Sequence, residues 1–412
     1  MKIVNQIANF HTSIYNFHMI PRSLASVVQA AARQYPVLTI TGPRQSGKTT
    51  AARSLFPHLP YFSLETPDVR EYALSDPRGF LSESADGAIF DEVQRAPDLL
   101  SYLQGIVDEQ RKPGQYVLTG SQHFGLLAEV TQSLAGRTAL LNLLPFDLSE
   151  LRSTELPLAS PFDALFHGGY PAIFDRAIPP TRFHADYVGS YIERDVRQVL
   201  NVEDLGAFQR FVRLAAGRSG QLVNLSSLGS DCGISHNTAK SWIGVLEASF
   251  VAFRVPPFHR NIGKRLVKSP KLYFWDTGLL CFLLGIREPD QLRVHPLRGA
   301  IFETWVMSEL AKKLAHSGRP NDLHFYQEHA RTEVDLMYAA GQRLIAAEIK
   351  SAETVSSDMY KNLDAVSDLF GADVVERYLV YGGSKRQSRS DRTVVPWSDV
   401  DTILPDATDP HP

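Results

Sequence analysis

The sequence predicts a multidomain α/β protein whose first part is built on a parallel β-sheet, and three observations carry the prediction. Short apolar runs alternate with helix-period patterns between Pro36 and Leu151, as expected of strands joined by covering helices. The stretch Gly42-Pro43-Arg44-Gln45-Ser46-Gly47-Lys48-Thr49-Thr50 lies between the first of these runs and a helix-favouring segment. The last third, after a helical middle, again mixes a long helical pattern with strand-like runs. At 412 residues the chain exceeds one ordinary core, since domains run to about 100–200 residues.

Taken in order, residues 1–20 interrupt their apolar pattern with Asn, Gln, His and Ser. They are expected to form a disordered extension rather than a signal peptide, with Met1 or Met19 as the start. Residues 21–151 form the first domain, with strands expected at "PVLTI", "YFSL", "GAIFDE", "QYVLTG" and "TALLNLL". Between them, "APDLLSYLQGIVDE" and "FGLLAEVTQSLAG" carry apolar residues at helical spacing. A Ser-, Pro- and Leu-rich break opens a helical region over 152–204. Residues 205–275 read as helix, turn, helix, with a Gly-containing turn at Cys232-Gly233-Ile234 and Ser235 as N-cap of the second helix. Residues 276–400 form a second α/β domain: a helix through "AIFETWVMSELAKKLA", then strands at "LHFYQ", "TEVDLMYA", "RLIAAEIKS" and "ERYLVYGG". Residues 401–412 are expected to be a disordered tail.

Composition excludes several classes. Lys and Arg number 42 against 45 Asp and Glu, a formal net charge of -3, so no global basic field marks the chain for nucleic acid, and any such surface is local. Two cysteines, Cys232 and Cys281, form neither a disulfide framework nor a metal motif. A reducing, cytoplasmic setting fits that usage. The longest apolar run, "GLLCFLLGI", falls far short of the roughly 20 residues that span a bilayer. No H-E-x-x-H or G-x-S-x-G occurs among the 13 histidines and the serines, so neither a zinc protease nor a serine hydrolase is indicated.

Gly42-x4-Gly47-Lys48-Thr49 matches the P-loop pattern in the required strand–loop–helix context. Its glycines let backbone N–H groups turn toward phosphate oxygens at a helix N-terminus. Lys48 is expected to reach the β- and γ-phosphates of ATP, and Thr49 to coordinate Mg²⁺. The strand "GAIFDE" ends in Asp91, a candidate for the magnesium shell, and Glu92, a candidate for polarising the attacking water. The other reading of Glu92 is a solvated acid at a helix start. Thr119 or Ser121, at the end of "YVLTGS", is positioned to sense the γ-phosphate, although Thr-Gly-Ser is also an ordinary turn. Arg137 is a candidate charge stabiliser, acting in cis or from a neighbouring subunit of a homo-oligomer; its alternative is a surface arginine.

The second helix of the helix-turn-helix presents His236, Asn237, Lys240 and Ser241 outward, and 254–271 carries six Lys or Arg and no acid. A winged helix that docks on DNA fits this pattern; a protein-interaction module is the alternative. Near the end, Asp335 lies on one strand and Glu348 and Lys350 on the next, the latter two facing the same side. With Glu303 on the preceding helix, these carboxylates are candidates for a second Mg²⁺ or Mn²⁺, and Lys350 for activating water. Helix, Asp and Glu-x-Lys in this order resembles the restriction-endonuclease-like nuclease fold. The alternative is an ion-paired surface in which Lys350 neutralises Glu348.

From Pro21 onward the chain resembles the AAA-type ATPases of bacteria and archaea in which a P-loop module precedes a domain of unknown function. The resemblance rests on "RSLASVVQAAARQYPVLTITGPRQSGKTT", "IFDEVQ", "VLTGSQHF", "SLAGR", "LPFDLSEL", "GGYP", "YIERDV", "FETWVMSEL", "EVDL" and "EIKS". It implies that Lys48, Thr49, Asp91 and Glu92 carry nucleotide hydrolysis and that Ser121 or Gln122 is the sensor. It also implies that 152–204 is a helical lid with Arg194 as a nucleotide sensor. The complete expectation is a P-loop NTPase parallel sheet with helical lid, a winged helix-turn-helix and a C-terminal restriction-endonuclease-like domain. Such a chain hydrolyses ATP to control DNA binding and a nuclease-like domain. The alternative is a nucleotide-dependent signalling switch whose nuclease-like domain is inactive and recruits partners. A small-molecule kinase is less consistent with Glu92 beside Asp91, which suits water activation.

Overall fold

The computed structural model describes residues 20–121, 130, 133–152, 158–192, 204–259, 269–328, 332–371 and 374–406. Helix α1 (Ala25–Ala32) leads into β1 (Val37–Thr41), the P-loop and α2 (Lys48–Leu55). Strands β2 (Tyr61–Ser63) and β3 (Ala88–Asp91), helix α3 (Leu99–Gln110), and strands β4 (Tyr116–Gly120) and β5 (Thr138–Asn142) complete the first layer. Every pairing is parallel and the strand order is β2-β3-β4-β1-β5.

The five strands coincide with the five predicted apolar runs because both faces of this sheet are covered. Val37, Ala88, Phe90, Tyr116 and Leu118 pack with Leu99, Leu100 and Leu103 of α3 on one face. On the other, Leu38, Ile40, Ile89 and Val117 pack with Val28 of α1 and Ala51 and Ala52 of α2. Successive strand residues point to opposite sides, so a strand covered on both sides is apolar throughout. The predicted helix at 124–136 falls largely outside the described residues.

Helix α4 (Leu148–Leu151) follows, then α5 (Pro161–His167), α6 (Pro171–Asp175) and α7 (Pro180–Tyr187). Next come α8 (Leu205–Ala216), β6 (Gln221–Leu222), α9 (Leu225–Cys232), α10 (His236–Ala248), β7 (Ala252–Val255) and β8 (Lys271–Phe274). The Ser235 hydroxyl accepts the Thr238 amide at 3.1 Å and caps α10. Strands β6, β8 and β7 form an antiparallel sheet with β8 in the centre. The apolar run at 278–286 forms α11 (Thr277–Leu283), buried almost throughout.

Helix α12 (Arg298–His316) buries 13 of its 19 residues, including Glu309, Lys312 and His316. Beyond it lie β9 (His324–Glu328), β10 (Thr332–Ala340), β11 (Arg343–Lys350), α13 (Lys361–Phe370), β12 (Val374–Tyr381), β13 (Gln387–Ser388) and β14 (Thr393–Pro396). The sheet order is β13-β14-β12-β11-β10-β9, antiparallel from β9 to β11 and parallel between β11 and β12. One continuous apolar cluster runs from Leu144 through the middle helices and α12 to Leu404. Among the described residues no helix is long and apolar enough to cross a membrane.

His184 of α7 sits fully inside this cluster, against Tyr170, Phe183 and Phe282. Neither of its ring nitrogens has a hydrogen-bond partner among the described residues. Burial pushes its pKa down to about 4, only partly opposed by the Asp276 charge. In the unfolded chain the ring protonates near pH 6.5, so between pH 6.5 and about 4 the unfolded state holds the extra proton. Stability is therefore expected to fall as pH drops through that window, by at most about 3 kcal/mol. Denaturant melts of the wild type and His184→Phe at pH 7 and pH 4.5 measure this; the difference is predicted to shrink in the variant.

Candidate functional site

The P-loop leaves β1 at the carboxyl edge of the sheet, where ligand crevices form in open α/β folds. A Cβ on Gly42 would lie 2.1 Å from the Leu143 carbonyl oxygen, and Gly47 takes φ 91°. Both positions therefore require glycine. Lys48, at the start of α2, is buried, and its ammonium donates to the carbonyls of Gly42 at 3.0 Å and Pro43 at 2.7 Å. The buried Ser46 hydroxyl has no partner among the described residues. An ammonium turned into a concave loop, beside an unanswered buried hydroxyl, fits a phosphate chain.

Asp91 ends β3 and is buried beside Thr49, whose hydroxyl donates to its oxygens at 3.1 and 3.0 Å. Thr119 of β4 also donates to Asp91, and the Tyr61 hydroxyl of β2 donates at 2.7 Å. Burial and the Asp91 carboxylate push Tyr61 up to about 12. Three hydroxyl donors thus hold Asp91 next to Thr49, the pair suited to a magnesium shell. Glu92 adopts the left-handed region, φ 55° and ψ 47°, which costs a non-glycine residue on the order of 1 kcal/mol. That turn separates it from Asp91 and points it to Ser121, whose hydroxyl donates at 3.1 Å, and to Gln94. Of the two predicted sensors, Thr119 touches Asp91 and Ser121 touches Glu92. Gln122 and Arg194 lie outside the described residues.

Arg137 is elsewhere. It precedes β5, in register with the start of β1, whereas the P-loop follows the end of β1, about 16 Å along the strand direction. Its guanidinium grips Asp108 through contacts of 2.5 and 2.9 Å. The expectation of a charge stabiliser in cis is corrected; only a role toward a neighbouring subunit is left.

Sequence reading missed Arg22. It lines a cavity of about 660 Å³ beside Gly47 and Thr50, with Pro171 and Asp175 opposite, a volume suited to a nucleoside. Arg22 donates to the Ser46 carbonyl at 2.7 Å, the Leu144 carbonyl at 2.5 Å and Glu150 at 3.0 Å. From Glu150 and its neighbours a buried polar seam continues to α12. Leu148 N donates to Glu309 at 2.6 Å, Lys312 donates to Glu309 at 2.9 Å and to the Phe146 carbonyl at 3.1 Å. The Leu144 amide donates to His316 Nε2 at 3.2 Å, so Nδ1 carries the proton given to Asp147 at 2.7 Å. Burial raises the Glu309 pKa and Lys312 opposes the rise.

In the C-terminal domain, Asp335 accepts the Ile349 amide at 2.8 Å and a 3.5 Å contact from Lys350, which also bonds Glu348. Glu303 pairs with Lys271 at 3.0 Å and accepts the Tyr273 hydroxyl at 2.7 Å. Burial and the Asp335 charge push both Glu303 and Glu348 up to about 7. Among the described residues, only Asp147, Glu150 and His316 bring three metal-type ligand atoms within 4.8 Å of one another. Of Glu303, Asp335 and Glu348, predicted to share a metal, Glu303 pairs with Lys271, while Lys350 contacts both Asp335 and Glu348. On the three-helix segment, His236, Asn237, Lys240 and Ser241 are exposed as expected. The expected basic stretch is reduced, because Arg254 is bound by Glu247 at 2.6 and 2.8 Å and Lys271 is buried; residues 260–268 lie outside the described ones.

A five-stranded parallel sheet with a strand–P-loop–helix and an acidic strand end defines a P-loop ATPase of AAA type. Residues 34–152 match the AAA domain family, and residues 298–400 match a domain of unknown function, DUF4143. Residues 160–290 match a further domain of unknown function, DUF8612. The chain belongs to the same family as the uncharacterized proteins Rv2008c of Mycobacterium tuberculosis and Mb2031c of Mycobacterium bovis, each 32% identical over 378 residues, 90% of this chain and 82% of theirs. Among solved structures it is similar to a Walker-type ATPase of Pyrococcus abyssi, at 15% identity and TM-score 0.46, over 64% of this chain and 96% of that one. It is also similar to RuvB of Thermotoga maritima, at 20% identity and TM-score 0.28, over 57% of this chain and 87% of that one.

Proposed function

We propose that the protein is an ATP-hydrolysing switch whose nucleotide state is passed from the P-loop to the C-terminal half. In this reading Lys48 and the loop amides hold the phosphates, Thr49 and Asp91 hold Mg²⁺, and Glu92 orients the attacking water. The bridge made by Arg22 carries the proposal: one guanidinium joins the P-loop carbonyl of Ser46 to Glu150, and Glu150 belongs to the seam that ends on α12. Phosphate binding that draws the P-loop inward pulls on that bridge. The C-terminal strand order and the Asp335, Glu348, Lys350 placement favour a nuclease-like fold, while the lysine pairing favours recognition over cutting.

Hydrogen exchange compared between ADP and a non-hydrolysable ATP analogue, both with Mg²⁺, tests the switch. Amides of α12 are expected to change protection in the wild type and not in Arg22→Ala. Identical exchange beyond residue 160 in both nucleotide states would sink it. The exposed His236, Asn237, Lys240 and Ser241 on α10 support DNA as the partner; Lys240→Ala is then expected to weaken binding and flatten its salt dependence. Plasmid nicking with Mg²⁺ or Mn²⁺, lost in both Asp335→Ala and Glu348→Ala, would favour a working nuclease instead.

A further inference from the structure

The carboxylate cluster of the C-terminal domain is entered by a side chain from outside that domain's sheet. Lys271 opens β8, the central strand of the three-stranded sheet, where it pairs with Leu222 on one side and Val255 on the other. It is 4% exposed. Its ammonium lies 3.0 Å from Glu303, 2.5 Å from Glu333 and over the Phe325 ring at 5.4 Å. Lys350 answers Asp335 and Glu348 from the other side.

A divalent ion needs several carboxylate oxygens converging on one point, and a neighbouring ammonium opposes it by charge. Here Glu303 Oε1, Asp335 Oδ2 and Glu348 Oε2 already face an ammonium, the Tyr273 hydroxyl or the Ile349 amide, while Glu348 Oε1 is buried with no hydrogen-bond partner among the described residues. An ion entering beside Lys271 would meet a like charge at low dielectric. The two ammonium groups, rather than a shortage of ligand oxygens, therefore set this cluster against a resident metal.

We infer that Lys271 is a built-in cation that takes the place of a divalent ion, so that β8 plugs the carboxylate cluster of the C-terminal domain and holds it metal-free. The inference rests on the reading of that domain as nuclease-like but non-cutting. It places control in the neighbouring three-stranded sheet: withdrawal of β8 removes Lys271 from the carboxylates.

Mn²⁺ titration of the full chain without nucleotide, followed by the paramagnetic resonance of free Mn²⁺, tests the plug independently of ATP hydrolysis and of the nucleotide-driven change in α12. Wild type, Lys271→Met and Lys271→Gln are compared, each with and without Asp335→Asn, so that the Asp335-dependent site is isolated from Thr49 and Asp91. The wild type is expected to show no Asp335-dependent binding at submillimolar Mn²⁺, and the Lys271 variants to gain such a site, tighter on the order of a hundredfold. Asp335-dependent binding by the wild type as tight as by the variants overturns the inference, as does a folded Lys271 variant that gains none. Should both variants fail to fold, the wild-type titration alone decides.

Discussion

Lys48→Ala is expected to abolish ATP turnover, lowering phosphate release at saturating ATP by at least about a hundredfold. The ammonium is buried and donates to two carbonyls of its own loop, at 3.0 and 2.7 Å. Neither of these contacts reaches another element, so their loss is expected to leave the sheet and α2 packed while removing an ammonium directed into the loop. Charge that builds on the transferring phosphoryl group is then left to Mg²⁺ and the backbone dipoles, without the lysine's charge. A thermal melt matching the wild type, together with lost turnover, is the predicted pair of results; full hydrolysis by the folded variant would remove the site from this loop. Glu92→Gln separates the roles further. Nucleotide affinity is expected to persist because Glu92 lies beyond Asp91, on Ser121 and Gln94, and only the hydrolytic step should suffer.

Glu309→Ala is expected to be the most destabilising single change in the seam, costing about 3–5 kcal/mol. Both members of the Glu309–Lys312 pair are buried, at 4% and 3% exposure. Removing the carboxylate strands an ammonium in the interior and leaves the Leu148 amide, now bonded at 2.6 Å, unanswered. Replacing the two together, Glu309→Met with Lys312→Leu, removes both charges and is predicted to cost far less than Glu309→Ala. Urea midpoints of the wild type and the single and double variants check this. A double variant as unstable as the single one would mean that the pair acts through its shape and backbone contacts rather than its charge balance.

These expectations draw on the sequence to different depths. The five strands of the first sheet, the P-loop, and Asp91 with Glu92 at a strand end were legible because each depends on residues within a few positions of one another. Apolar period, glycine conformation and strand termination are local properties, and the Ser235 cap is another. The long-range contacts were not legible. Arg22 meets Ser46 and Glu150 across 24 and 128 positions, and His316 meets Leu144 across 172. Nothing in the spacing of a lone arginine near the start, or of three polar residues in a helix, tells which carbonyl or carboxylate will face them.

Arg137 and Lys271 show the same division from the other direction. Both sit in stretches whose composition pointed outward, to a phosphate or to DNA. Parallel register carried Arg137 to the far edge of the sheet, and the central place of β8 turned Lys271 into the acids of Glu303 and Glu333. The linear chain was enough to reach an α/β P-loop ATPase domain, since its motif and strands need only neighbouring residues. Which charges would be neutralised, and by whom, waited on how the layers dock: a charge's partner is chosen by proximity in space at low dielectric, where leaving it unpaired costs more than any local preference can repay.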